Sequence, residues 1–151
     1  MIKPSKKLAL ALEAVCDIAY NGASEPVQSQ DIARRLQLPR RYLEQVMQQM
    51  VRAGILRGVR GPRGGYRLAR ERRRISVADV VSVVQAMDAA TAEDDDRTAS
   101  AIGQAVTQPF WNEVERDVLA RLSASTIEDL CREAESRGVS SEAAKGVDFA
   151  I

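Results

Sequence analysis

The 151-residue chain contains no histidine, and its two cysteines, Cys16 and Cys131, are far apart in the sequence. Without histidine, neither a Ser-His-Asp triad nor a Cys-His pair can form, and zinc sites that use histidine are excluded as well. Both cysteines lie among apolar residues at helical spacing, which favours buried structural thiols; redox sensing is the alternative. Nothing in the chain resembles a general base paired with a nucleophile or a phosphate-binding glycine loop, so we predict that the protein is not an enzyme.

Aromatic residues and long apolar stretches are also scarce. Aromatic side chains make up 4% of the chain, so alanine, valine, leucine and isoleucine must fill the core. No run of about 18 apolar residues could cross a membrane, and no segment has the pattern of a secretory signal. These absences predict a cytoplasmic protein with no membrane partner. The length suits one domain with an appendage.

The net charge of +1 conceals an uneven distribution of charge. Residues 1–80 contain 16 Lys/Arg and 7 Asp/Glu, a balance of +9, whereas residues 81–151 contain 6 and 14, a balance of −8. The first part of the chain is therefore the candidate to bind a polyanion, and the second part is not.

Residues 39–70 predict a helix followed by a β-hairpin. The helix begins at Pro39, whose fixed φ suits a first helical position, and ends before Gly54, which suits a C-terminal cap. Apolar residues recur within it at i, i+3, i+4 and i+7, which indicates one buried face. Two short apolar runs follow, 55–59 and 66–68, joined by the basic link RGPRGG.

The opposite face of this helix carries charged and amide side chains that can read base edges in a major groove. Arginine pairs with guanine, glutamine with adenine, and glutamate accepts a hydrogen bond from cytosine. An ordinary solvated face is the alternative, but the basic hairpin favours DNA, because its glycines allow close approach to phosphates or to a minor groove. The candidate DNA-binding residues are Arg40, Arg41, Glu44, Gln45 and Gln48 in the helix and Arg60, Pro62, Arg63 and Gly64 in the hairpin.

Two further helical patterns precede this helix. Residues 8–22 are apolar on more than one side, and residues 29–38 form a short second helix with Asp31 in its first turn, where the helix dipole favours a negative charge. Two helices joined by a short turn make a helix-turn-helix, and the appended hairpin makes it winged. We therefore predict a mainly α fold with a two-stranded wing, in which residues 1–88 form the DNA-binding domain.

The stretches YLEQVMQQMVRAGILRGVRGPRGGYRLAR and ISVADVVSVVQAMD resemble the IscR family of bacterial winged-helix transcriptional regulators, also called the Rrf-two family. The resemblance implies a homodimer on a partly palindromic operator, with the reading helix in the major groove and the wing in the flanking minor groove. Carried over by position, it implies that Arg41, Glu44 and Gln45 read bases and that Arg60 is the wing residue. Arg63 departs from the glycine-rich family wing and adds charge at its tip.

Residues 89–108 are acidic, alanine-rich and weakly periodic, which predicts a linker loop, with a short helix at 98–106 as the alternative within it. In the iron–sulfur members of the family, three cysteines and a nearby histidine in this segment hold the cluster. The equivalent positions are close to Glu93, Ala99, Ala105 and Gln108, and none is a thiolate or an imidazole. Because a cluster needs such ligands, we expect no metal site and no cofactor. A hard cation on the acidic run EDDD is the alternative to a solvated charged loop.

Residues 109–138 predict a long helix that begins at Pro109, followed by a short last helix. Apolar residues recur in the long helix at i, i+3, i+7 and i+11, as in a helix packed lengthwise on another. Such a stripe indicates dimerisation, with packing on its own domain as the alternative. The predicted dimer interface comprises Leu12, Trp111, Val114, Val118 and Leu122. We expect the polar tail, 139–151, to be disordered.

Together these features predict a dimeric, sequence-specific DNA-binding transcriptional regulator without an iron–sulfur cluster, and we expect a repressor. Its partners would be double-stranded DNA and a second copy of the chain. The controlling signal would be an effector small molecule or a partner protein. The alternative is an interaction protein that keeps the fold but acts through a partner protein rather than an operator.

Overall fold

A computed structural model describes residues 3–90 and 99–143 of the chain. Over these ranges the chain is mainly helical, with one two-stranded antiparallel sheet, as the sequence predicts. The elements in order are α1 (Lys6–Asn21), α2 (Ser29–Leu36), α3 (Arg40–Arg52), β1 (Leu56–Val59), β2 (Gly65–Leu68), α4 (Val77–Ala89), α5 (Gln108–Ala124) and α6 (Ile127–Ser136).

The ends of α3 follow from local sequence. Pro39 occupies the N-cap position, and the helix stops at Arg52 with Ala53 as its C-cap. Gly54 follows with φ at 77°, a left-handed conformation that glycine adopts without strain. The predicted end of the reading helix is thereby confirmed, and its start lies one residue after the predicted first helical position, Pro39.

The core lies between α1, α3 and α4, and aliphatic side chains fill it. Ile18, Leu43 and Met47 are each at most 2% exposed. The aromatic residues of the described ranges are half-buried or exposed. Within these ranges the core therefore has no fully buried aromatic ring and depends on many small aliphatic contacts, as the scarcity of aromatic residues predicts.

The wing is a β-hairpin that is extended by the link between α1 and α2. β1 and β2 pair antiparallel with Leu56 opposite Leu68. Val27 adds one further rung, because its N–H donates to the Tyr66 carbonyl at 3.0 Å and the Tyr66 N–H donates to the Val27 carbonyl at 2.8 Å. A Cβ on Gly65 would lie 2.3 Å from the Val27 oxygen, so only glycine allows this approach.

The helix that contains α5 begins earlier than the sequence suggests. Residues 101–107, inside the segment predicted as a linker, are helical, and a π-helical turn, Gly103–Thr107, leads into α5 without a break. The wider turn ends two residues before Pro109, whose ring and missing N–H do not fit the interior of a regular α-helix. Glu93 and the rest of the EDDD run lie outside the described residues.

The first residues of the predicted tail contact the end of α1. The Tyr20 hydroxyl donates to the Val139 carbonyl at 2.5 Å, and the Ser141 hydroxyl donates to the Tyr20 carbonyl at 2.7 Å. The Glu142 N–H donates to Asn21 Oδ1 at 3.0 Å. Residues 144–151 lie outside the described ranges.

Each helix found in residues 3–90 and 99–143 is too short or too polar to span a lipid bilayer.

Candidate nucleic-acid interface

The third helix buries one face and exposes the other. Leu43, Val46, Met47 and Met50 are buried and attach α3 to the core. On the outer side Arg40, Arg41, Gln45 and Gln48 are exposed, and Glu44 is half-buried. The face that the sequence assigns to base reading is therefore available to a partner, and the helix itself is held firmly from behind.

Glu44 links the reading helix to the start of α2. Its Oε1 accepts from Arg40 Nε at 3.0 Å and from the Ser29 hydroxyl at 3.4 Å. Because two donors from two elements hold the carboxylate, its orientation is fixed before any partner arrives. The pair also gives Arg40 a partner within the chain, whereas Arg41 projects from the next position on the exposed side.

The wing tip is formed by residues 60–64. Arg60, Pro62 and Arg63 are exposed, and Gly64 is half-buried. Gly61 has φ at 115°, and a Cβ on Gly64 would lie 2.4 Å from the Val59 carbonyl oxygen. The two glycines therefore allow a tip narrow enough to enter a groove of DNA.

An open groove of about 750 Å³ runs between α3, the wing and the start of α2. Five predicted DNA-binding residues line it: Arg40, Glu44, Arg60, Pro62 and Gly64. The other four predicted residues, Arg41, Gln45, Gln48 and Arg63, are exposed but do not line this groove. The structure thus brings the helix and wing together, while part of the predicted set faces outwards beside the groove.

Sequence reasoning missed the contribution of α2 to this groove. Gln28, Ser29 and Gln30, at the start of α2, form one wall. Backbone N–H groups at a helix N-terminus attract phosphate oxygens. The only sequence signal for this contribution was the polar run QSQ at the start of an amphipathic helix, and such a run is equally typical of ordinary helix capping.

Tyr66 forms part of the floor of the groove next to the wing. Burial raises the pKa of its hydroxyl above the ordinary value. The phenol therefore stays neutral in the physiological range and can donate a hydrogen bond to an anion.

The α5 helix exposes a second surface of different chemistry. No residue of α5 is buried in its own chain, and Phe110, Trp111 and Val118 are 56%, 53% and 50% exposed. Val114 and Leu122 are half-buried on the same side. Leu12, the fifth predicted interface residue, is half-buried against the core of its own chain. Phe110 was missed because it falls one position before the i, i+3, i+7 stripe.

The residues present do not fit an iron–sulfur cluster. Ala99, Ala105 and Gln108 are exposed at the positions where relatives place ligands, and Glu93 lies outside the described residues. Both cysteines belong to or pack against the core, where burial raises the pKa of Cys16 to about 12 and raises that of Cys131 as well. In the described ranges no three His, Cys, Asp or Glu side chains are grouped to hold a metal ion.

Known proteins are similar to this chain in sequence. A family model named Rrf2, described as an iron-dependent transcriptional regulator, matches residues 4–133. The protein rrf2 of Nitratidesulfovibrio vulgaris is 32% identical over 119 residues, which cover 78% of this chain and 79% of the relative. The transcriptional regulator IscR of Xenorhabdus nematophila is 30% identical over 125 residues, which cover 83% of this chain and 76% of the relative.

Solved structures agree with these matches. IscR of T. potens superposes with a TM-score of 0.74 at 31% identity, covering 91% of this chain and 92% of that one. CymR (YrzC), described as the global cysteine regulator of B. subtilis, superposes with a TM-score of 0.69 at 26% identity, covering 88% and 98%. These matches confirm the predicted winged helix-turn-helix fold.

The relatives also bear on function. They are transcriptional regulators and not enzymes, which confirms the prediction of a non-enzymatic protein. They do not support the alternative of an interaction protein that acts without DNA. From the family model and the relatives together, we conclude that the chain belongs to the Rrf2 family of transcriptional regulators.

Proposed function

We propose that this protein is a cytoplasmic, homodimeric repressor that binds a partly palindromic operator and carries no iron–sulfur cluster. The observation that supports it most is the groove where α3, the wing and the start of α2 present basic and amide groups on one side of the fold. A small molecule or a partner protein would control its affinity for the operator.

In this proposal α3 enters the major groove and the wing contacts the flanking minor groove. Arg41, Gln45 and Gln48 face outwards at helical spacing, so they reach successive base pairs. Arg60 at the wing tip meets the enhanced negative potential of a narrow minor groove. Residues 1–80, with a balance of +9, supply the electrostatic attraction to phosphates.

Dimerisation would occur through α5. Two copies of the exposed apolar face, packed lengthwise, would remove Phe110, Trp111 and Val118 from water. A twofold axis between them would present two reading helices to successive major grooves, about 34 Å apart. Symmetry of this kind matches a palindromic site.

Arg41→Ala tests the reading role. The affinity for the strongest site found by genomic footprinting should fall by about 1 to 3 kcal/mol, because a bidentate base contact is lost. Binding to a random duplex of equal length and base composition should change little. Fluorescence anisotropy on both duplexes at several salt concentrations measures the two effects.

Arg137→Ala is the matched control for Arg41→Ala. Arg137 is an exposed arginine outside the predicted DNA-binding set. It follows α6 and pairs with Glu133 at 2.6 Å. Its replacement should leave both duplexes bound as before. An equal loss on operator and random DNA for Arg41→Ala would show that Arg41 contacts phosphate and does not read bases.

A further inference from the structure

The second strand of the wing is fastened to the link between α1 and α2 at two neighbouring residues. Val27 pairs with Tyr66 at the base of the wing through two backbone hydrogen bonds, 2.8 and 3.0 Å long. Arg67, on the outer side of β2, donates to the carbonyl oxygens of Ala23 and Ser24. The link can therefore not move independently of the wing.

This attachment places a carboxylate at the wing tip. Glu25 lies between the two fastened points of the link, and its Oε1 is 3.4 Å from Arg63 Nη1. Arg63 is the residue that replaces a glycine of the family's wing pattern. The charge that this arginine adds to the tip is thus paired, inside the same chain, with an acidic side chain.

A carboxylate and a DNA phosphate offer arginine the same kind of anionic oxygen pair. The side chains of Arg63 and Glu25 are 85% and 65% exposed, and exposed ion pairs are weak. A phosphate can therefore displace Glu25 where the wing is held against the duplex, at the cost of the broken ion pair. Base contacts by α3 supply that hold on the operator, and they are missing on random DNA.

We propose that Glu25 restrains the wing: it holds Arg63 in an ion pair that must be broken before Arg63 contacts a phosphate, and so it lowers the affinity for DNA. This inference rests on the proposed function, because it assumes that the wing contacts DNA. It assigns to the α1–α2 link a role in setting the affinity for DNA, and it makes the contribution of Arg63 to binding dependent on a residue 38 positions away.

Glu25→Gln tests the inference. The variant should bind the random duplex about three-fold more tightly at moderate salt, and its salt slope on that duplex should steepen by about 1, as one more phosphate contact forms. Operator affinity should rise by at least as much, because the unmodified protein must break the Arg63–Glu25 pair to contact the operator and the variant need not. Anisotropy titrations of both duplexes over a range of salt concentrations give the affinities and slopes.

Two further variants distinguish the release of Arg63 from simple repulsion of DNA by the Glu25 carboxylate. In an Arg63→Gln background, Glu25→Gln should no longer steepen the slope, because no arginine is released. Glu133→Gln removes the acidic partner of another exposed pair, Arg137–Glu133, and should leave both duplexes unaffected. A slope that steepens equally without Arg63 would mean that Glu25 only repels DNA, and an unchanged slope with Arg63 present would equally overturn the inference.

The failure of this inference is distinguishable from failure of the proposed function. If the unmodified protein prefers the operator but Glu25→Gln changes nothing on random DNA, only the role of Glu25 is wrong. If the unmodified protein shows no preference for the operator, the proposed function and this inference are both overturned.

Discussion

The reading helix α3 and the helix α5 expose surfaces of opposite chemistry. Behind its polar outer face, α3 buries residues such as Leu43 and Met47 almost completely. α5 buries none of its residues and leaves apolar side chains such as Trp111 in water. The contrast teaches that α3 is positioned by its own chain, whereas the exposed apolar side chains of α5 would be covered only in the proposed dimer.

In the proposed function the two surfaces have different partners. Exposed arginine and glutamine on a rigid helix are solvated at no cost and are ready for a polyanion. An apolar face gains about 25 cal/mol for each Å² that it removes from water. A second copy of α5 offers a surface of the same kind, which is the requirement of a twofold interface.

The largest expected effect comes from a charge placed in the α5 surface. Val118→Asp should produce a monomer, because an aspartate in the centre of an apolar interface loses its hydration. Operator affinity should then fall by about 100-fold or more, since two linked half-site contacts become one. Sedimentation velocity reports the mass, and anisotropy reports the affinity.

Ala120→Asp is the control for this variant. Ala120 is exposed on α5 and lies on the side of the helix opposite to Val118 by helical spacing. The same carboxylate there should leave mass and affinity unchanged. A Val118→Asp protein that stays dimeric would show that α5 does not form the interface.

A smaller effect should follow from loss of the ion pair that fixes α2 to α1. Arg35 donates to both carboxylate oxygens of Asp17 at 2.8 Å, and the Asp17 side chain is 8% exposed. Arg35→Ala leaves this buried carboxylate without its charged partner, with the Asn21 amide still donating to it at 3.2 Å, and should lower the free energy of unfolding by about 2 to 4 kcal/mol. Urea titration monitored by circular dichroism measures the free energy of unfolding.

The neighbouring residue gives the control. Arg34 is 69% exposed and lies 3.4 Å from Asp31, so Arg34→Ala should cost at most about 0.5 kcal/mol. Equal losses for the two variants would contradict the claim that the reading domain is stabilised from within its own chain.

The smallest effect concerns the cysteines, which belong to neither exposed surface. Burial raises the pKa of Cys16 to about 12, whereas a thiol in the unfolded chain ionises near 9. The neutral thiol therefore contributes stability that is fully present below about pH 9 and is lost as the pH rises towards 12. At pH 10 the loss should be about 1 kcal/mol.

Urea titrations at pH 8 and pH 10 measure this loss, with Cys16→Ala as the control that should lack it. The same burial should make the native thiol slow to react with iodoacetamide at pH 8. Rapid alkylation of Cys16 in the folded protein would point instead to a reactive, sensing cysteine.

The sequence predicted the parts of the fold that depend on local spacing. The bounds of α3, the glycine after it and the position of the hairpin all follow from residues within one or two helical turns of each other. The pairing of Val27 with Tyr66 and of Glu25 with Arg63 could not be predicted, because it joins residues 38 or more positions apart whose spacing carries no periodic signal. The continuity of the helix through Pro109 was missed, because proline indicates a helix start more often than a π-helical turn.

The central claim is that two copies of this chain, joined through α5, present two reading helices to one duplex. Sedimentation equilibrium of the protein with a labelled operator duplex tests it most directly, because it counts the chains bound to each duplex. The account predicts pairs of chains on every occupied duplex, and single bound chains for Val118→Asp. A single unmodified chain bound with full affinity to the operator would contradict it.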